Sequence, residues 1–380
     1  MAMEGGFGGF GGFGGFGGFG GFGGFGGFGG FGGFGGFGGF GADPIYTPEA
    51  LIRNRDGIVG TWTRPASVLD QLPLETPANV ALWEPWVRAE AIDFDLMSRL
   101  QFGGHLNGYR LWHIEVPPGN PATAICQPVV DMIRPPNPTN PPNPFWLDQL
   151  EIVANWADLR RDRAEEIITQ LQPPIVYWST ILNLRPDRRR WTTELVWAAL
   201  RLATYAELRF KHALACRRPI EFSPQIQPMI MTPGHGTLPS GHATEAFIVA
   251  YVLWRLARAA ENAKSTEWLE QLMREAARVA INRTVAGVHF PVDSAAGQLL
   301  GLTLGEYFVH RATGTGQYHA WQFDGGQFGN NADFDWRLIY DVPTQARVPQ
   351  AFAVSLALQP AVAQANLLAQ LWTLALREWP

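Results

Sequence analysis

Cysteine is almost missing from this chain. Cys126 and Cys216 are the only two, which excludes a disulfide framework and a four-cysteine metal site. Lysine is as scarce, occurring only as Lys211 and Lys264 among 29 basic residues. Where arginine serves almost everywhere, a lysine marks either a place that wants a compact ammonium or an accident on a solvated helix face. A concentrated positive surface is also lacking. The formal net charge is -5, and the runs Arg160-Arg161 and 188–190 sit among acidic residues, where they read as solvated helix ends. No nucleic-acid partner is expected on that balance. The N-terminus has no basic stretch ahead of an apolar one, so no secretory leader is seen and a cytoplasmic location is expected. One long stretch, residues 348–376, carries no charge. Pro360 interrupts it, and Gln359, Gln364, Asn366 and Gln370 would be costly in lipid, so membrane contact is disfavoured. A helix that is buried or faces a second copy, as in a homo-oligomer, is the expectation.

The first part of the chain is compositionally separate. Residues 5–41 repeat Gly-Gly-Phe, with phenylalanine at every third position from Phe7 to Phe40. Two glycines in three leave such a tract too flexible to pack alone, so residues 1–42 are expected to be disordered. The regular aromatics suit either an idle tail or weak self-association. Its formal match to a glycine-rich dinucleotide loop is discarded, because no strand precedes it and no amphipathic helix follows. Residues 43–144 are rich in tryptophan and proline and end in an extended Pro-rich connector at 134–144. Residues 145–380 read as a helical catalytic domain. Helices are expected over 145–171, 190–214, 241–262, 266–281, 292–312 and 361–377, the second from Leu195, Ala199, Leu202, Ala206 and Phe210 at helical spacing. Alternating β-branched runs are few. The predicted fold class is all-α, a helical bundle.

Three short stretches carry the chemistry. Lys211 and Arg218 are seven residues apart, nearly two helical turns, and Pro219 limits the helix beyond them. Two cations at a helix C-terminus are also plain dipole partners. Next, a Pro- and Gly-rich loop with His235 runs into Pro239-Ser240-Gly241-His242 and an apolar helix. Ser240 is the natural N-cap, and a helix N-terminus with free N–H groups is a ready anion site. Gly241 would let the backbone approach an anion, and His242 would stand ready to give a proton. Last come Arg283, His289 and Asp293. Asp293 lies four residues after His289, where it would fix one tautomer of the imidazole.

In order, these read K-x6-R-P, P-S-G-H and R-x5-H-x3-D. The set resembles the signature of the type 2 phosphatidic acid phosphatase and vanadium haloperoxidase superfamily, anchored across residues 211–293, about a quarter of the chain. Asn282 stands where that family usually has serine. The resemblance implies an oxyanion cage of Lys211, Arg218, Ser240, Gly241 and Arg283. It makes His289 the nucleophile of a phosphohistidine route, Asp293 its orienting group, and His242 the proton donor and then the base. A phosphoric-monoester hydrolase of this kind uses no cofactor. The alternative it implies is a vanadate-dependent haloperoxidase, with vanadate as cofactor, His289 as the vanadium ligand, and halide and hydrogen peroxide as substrates. His235, seven residues before His242, is similar to the bromoperoxidase branch, while Pro-Gly-His-Gly and His-Phe-Pro-Val-Asp look like the soluble bacterial phosphatases. A third reading, of another class, gives the function to self-association through residues 5–41.

Overall fold

The computed structural model describes residues 47–116, 124–137 and 143–379. The Gly-Gly-Phe tract and its proposed self-association lie outside them. The chain divides into two units, up to Arg88 and from Ala89. In the first, α1 (Thr47–Ile58) is followed by a 3₁₀ turn, Pro77–Leu82. The Arg88 guanidinium donates to the carbonyls of Val80 and Trp83 at the end of that turn.

In chain order from there come α2 (Pro85–Met97), β1 (Leu100–His105), β2 (Gly108–Glu115), β3 (Ile125–Ile133), α3 (Phe145–Trp156), α4 (Arg160–Thr169), α5 (Ile175–Leu182), α6 (Arg190–Leu214), α7 (Pro219–Phe222), α8 (Gly241–Ala259), α9 (Ser265–Val285), α10 (Pro291–Thr313), β4 (Tyr318–Asp324), β5 (Tyr340–Asp341), β6 (Ala346–Arg347), β7 (Ala353–Gln359) and α11 (Asn366–Leu376). α8 packs on α6, α9 and α10. α10 is buried from Pro291 to Ala312, which explains why its sequence shows no polar face. The expected α6 agrees with the observed helix, and its buried stripe includes Leu195, Ala199, Leu202, Ala206 and Phe210. The helix expected over 145–171 is instead α3 and α4, separated by the 3₁₀ turn Ala157–Leu159.

The all-α expectation needs correction. Helices dominate, but β1, β2, β3, β4 and β7 form a five-stranded mixed sheet in that order. Neighbours are antiparallel except for β3 and β4, which run parallel with Val130 opposite Trp321. Of these strands, β2 and β4 are built from aromatics more than from β-branched residues, as in Tyr109, Trp112, Tyr318, Trp321 and Phe323. β3 is buried on both sides at Val129, Val130 and Met132, so it has no alternation to read. Pro128 is tolerated within it because the register shifts there against Leu111 and Trp112. The uncharged stretch 348–376 resolves into β7 and α11. The latter buries Leu368, Leu371, Trp372 and Ala375 and packs on α6 and α10. No helix among the described residues is long and apolar enough to cross a membrane.

One packing device sets up the site. Gly297, Gly301 and Gly305 line one face of α10 where it meets α8. A Cβ at Gly297 would lie 2.6 Å from the Ser240 carbonyl oxygen, and one at Gly301 would lie 2.5 Å from that of Thr244. No side chain could be accommodated there without separating the helices. This stripe brings the N-terminal ends of α8 and α10 together, and the Ser240 amide donates to the Asp293 carbonyl at 2.9 Å.

Candidate active site

Four helix ends converge: the C-terminal turns of α6 and α9, carrying Lys211 and Arg283, and the N-terminal turns of α8 and α10. Helix N-termini present free amide hydrogens and partial positive charge, so this junction suits an anion before any side chain is counted. Ser240 is the N-cap of α8, its oxygen accepting from the Ala243 amide at 3.4 Å, as the sequence predicts. Its hydroxyl hydrogen is thereby left to donate elsewhere.

His289 lies just ahead of α10, almost fully buried. Arg218 Nη1 stands 3.1 Å from its Nε2. A guanidinium only donates, so Nε2 is the acceptor and the ring proton sits on Nδ1. That nitrogen faces Asp293 Oδ2 at 3.0 Å. The same carboxylate oxygen accepts from the Phe290 amide at 2.8 Å and the Thr237 hydroxyl at 2.5 Å. Thr237 Oγ1 also lies 3.1 Å from His289 Nδ1. Burial, reinforced by the Arg218 and Lys211 charges, holds the His289 pKa well below its ordinary value, so the ring is neutral. Burial raises Asp293 to about 6, against the opposing pull of the Thr237 hydrogen bond.

Lys211 and Arg218 are both buried and both tied to the loop before α8. Lys211 Nζ donates to the Pro239 carbonyl at 2.6 Å and approaches those of Thr237 and Gly236 at 3.4 and 3.5 Å. The Leu238–Pro239 peptide within this loop is cis. Arg218 donates to the carbonyls of Val288 at 2.7 Å, His235 at 3.0 Å and Gly236 at 3.3 Å. Its Nη2 lies 3.1 Å from His235 Nδ1. The His235 ring is therefore an acceptor from Arg218, on an otherwise exposed residue.

Arg283 and His242 meet at Gln170, a residue the sequence reading did not select. Arg283 Nη2 donates to the Gln170 side-chain oxygen at 3.1 Å and to the Ile167 carbonyl at 3.3 Å. Its Nε and Nη1 are buried without a hydrogen-bond partner. Two unmatched donors on a buried cation are costly in an empty site and suited to an anion. His242 Nε2 donates to the Gln170 carbonyl at 2.8 Å, and burial together with Arg283 lowers its pKa to about 3. Asn282 donates to the Gln170 side chain at 2.9 Å and accepts from Arg163 at 2.7 Å. The position that departs from the family pattern thus supports the residue that holds Arg283.

Arg160, expected on a solvated helix end, is a clamp instead. It donates to the carbonyls of Val285, Gln227 and Ile226 at 2.9, 2.8 and 3.0 Å. It also covers Gly287, whose φ of +82° turns the chain toward His289; a Cβ there would lie 2.5 Å from Arg160 Nη2. Gly241 has a steric role beyond the expected approach to an anion. A Cβ on it would lie 2.5 Å from Oε1 of Glu207, a buried carboxylate one turn before Lys211. Glu207 and Gln170 fall outside the three motifs. Only the i,i+4 pairing of Glu207 with Lys211 was there to be read.

The PAP2 superfamily model matches residues 176–314, which span the end of the helical approach, all three motifs and α10. This region belongs to the PAP2 superfamily. No curated protein matches the chain. Phosphatases and haloperoxidases both occur among PAP2 proteins. The PAP2 region accounts for nearly all of α5 and for α6 to α10, and leaves every strand of the five-stranded sheet outside the match.

Proposed function

We propose that this PAP2 protein hydrolyses phosphoric monoesters through a phosphohistidine at His289. The observation that carries the reading is the His289 ring, neutral, with its Nε2 lone pair on the Arg218 side and Nδ1–H on Asp293. A nucleophile needs that tautomer, and Asp293 stabilises the positive charge the ring acquires. Lys211, Arg218 and Arg283 neutralise the phosphoryl oxygens, with the free Arg283 donors, the Ser240 hydroxyl and the Gly241 amide completing the cage. Nε2 attacks phosphorus as the ester oxygen leaves with a proton from His242. Water then attacks the phosphohistidine, delivering its proton to His242 and releasing phosphate and free His289. His242 is neutral in the unliganded protein because of burial and Arg283. A bound phosphate dianion offsets that cation and raises the ring's proton affinity.

The test is turnover of p-nitrophenyl phosphate, with vanadate as inhibitor and a search for an acid-labile, base-stable phosphoprotein on rapid quenching. No turnover from acid to neutral pH would sink the proposal. One observation favours the second reading: the His235 ring rests on Arg218, beside the cage. The unpartnered Arg283 donors fit vanadate as they fit phosphate, with His289 Nε2 as its ligand and the three cations as counter-charge. Bound there, vanadate would supply peroxide-dependent halide oxidation. Bromination of a dye after vanadate loading, no greater than by unloaded protein, would count against it.

A further inference from the structure

Three carboxyl groups lie near Lys211 and Arg218: Asp293 and Glu207, both buried, and Glu245, which is partly buried. Asp293 is committed to His289. Glu207 and Glu245 have no role in the steps above. Glu207 is 4% exposed, stands one turn from Lys211 on α6, and lies against Gly241 at the first turn of α8. Its Oε2 is buried without a hydrogen-bond partner. Glu245 is on α8, one turn after Gly241. The charged groups facing Glu207 are Lys211 on its own helix, Arg218 after it, and Glu245 across from it. With every group ionised, three positive charges meet three negative ones, and a dianion would enter a site with no net charge to receive it.

We infer that the oxyanion enters this site together with a proton, taken up by the Glu207–Glu245 carboxyl pair. The inference rests on the oxyanion reading above and assigns Glu207 a positioning role through Lys211 and Gly241. Protonation removes negative charge behind the cage, so that the Lys211 charge is left uncompensated toward the anion. It also gives the orphaned carboxyl a hydrogen to donate. Burial raises Glu207 to about 7 and Glu245 to about 8, so the pair can change protonation near neutral pH. The anion's own charge raises both further, which is the thermodynamic source of the uptake. Lys211, lowered by burial, is the competing acceptor of that proton. The two are separable. Removing the Glu207 charge takes away one acceptor of the pair and the repulsion that, with burial, raises Glu245, so uptake by the pair shrinks. The same change lowers the Lys211 pKa and so increases any uptake by the lysine.

Tungstate is the probe, because it stays a dianion from about pH 6 to about pH 9 and its own titration does not enter. Calorimetry in two buffers of different ionisation heat counts the protons taken up by the full chain near pH 8. Uptake of about one proton is expected, with affinity falling up to tenfold per pH unit as pH rises. Glu207→Gln should bind tungstate with clearly smaller uptake and a flatter profile. Uptake that is unchanged or larger in Glu207→Gln overturns the inference in favour of Lys211. Infrared difference spectra of the unmutated protein need no variant. Tungstate should increase the carbonyl band of protonated carboxyl groups, and an unchanged band overturns the inference even if Glu207→Gln does not fold. Tungstate that fails to bind at all, or binds equally to Lys211→Ala, overturns the oxyanion reading itself.

Discussion

Arg218 Nη1 and His289 Nε2 lie 3.1 Å apart on the side of the imidazole opposite Asp293. The ring is thus held from both edges, with the Nε2 electron pair accepting from a cation. His289→Ala removes that electron pair while taking little core volume. Turnover of p-nitrophenyl phosphate should fall by about a thousandfold or more, with circular dichroism and tungstate binding largely kept. Activity that survives the change would mean that another group attacks phosphorus.

Asp293→Asn keeps the shape but offers an amide where Nδ1–H needs an acceptor. Expected is a fall in kcat of about 10²–10⁴ with a smaller change in KM. Thr237→Val removes only the hydroxyl that shares Asp293 Oδ2, and about tenfold in kcat is expected. A Thr237→Val loss as large as that of Asp293→Asn would show that the hydroxyl has a direct part in the reaction.

Gln170 holds Arg283 at one nitrogen and leaves two others for an anion. Gln170→Leu should therefore weaken vanadate inhibition by about tenfold, and Arg283→Lys by more, since an ammonium cannot replace the planar fork. Inhibition constants across both variants decide the point; equal values in all three proteins would remove Arg283 from the cage.

The buried carboxyl at Glu207 also marks the pH dependence of stability. Its folded pKa of about 7 exceeds the ordinary 4.5, so the folded chain binds a proton the unfolded chain has released. That contribution is whole below the unfolded value and is lost as pH rises through the folded one. Glu207→Gln escapes the loss. Its Tm relative to the unmutated protein should rise between pH 5 and pH 8, by an amount corresponding to about 1–3 kcal/mol. Parallel Tm curves would show that Glu207 ionises in the fold at no cost.

Much of the site was legible because its residues come in ordered motifs at helix ends. Ser240 caps α8 and Asp293 reaches His289 as their spacings require. What joins those motifs was not legible. Gln170 is about 70 residues before His242 and contacts it through a backbone carbonyl, which leaves no mark on residue identity. Thr237 lies inside the loop, but nothing local says which hydroxyl will meet Asp293. The fold divides similarly. Amphipathic helices such as α6 announce themselves by period, whereas β3 is buried on both faces and β4 is aromatic. Neither shows the β-branched alternation that would identify a half-exposed strand.

The parallel pairing of β3 with β4 has a consequence for synthesis. The Tyr318 hydroxyl donates to the Pro128 carbonyl, 190 residues earlier in the chain. When β1 to β3 have left the ribosome, the edge of β3 has no neighbour until all the site helices have followed. Closing so long a loop is slow, and meanwhile Val129, Val130 and Met132 lack the cover they have in the finished sheet. A chain stopped after α10 would contain every residue of the proposed cage and still carry an open strand edge. The last 70 or so residues supply β4, the strand that closes this edge.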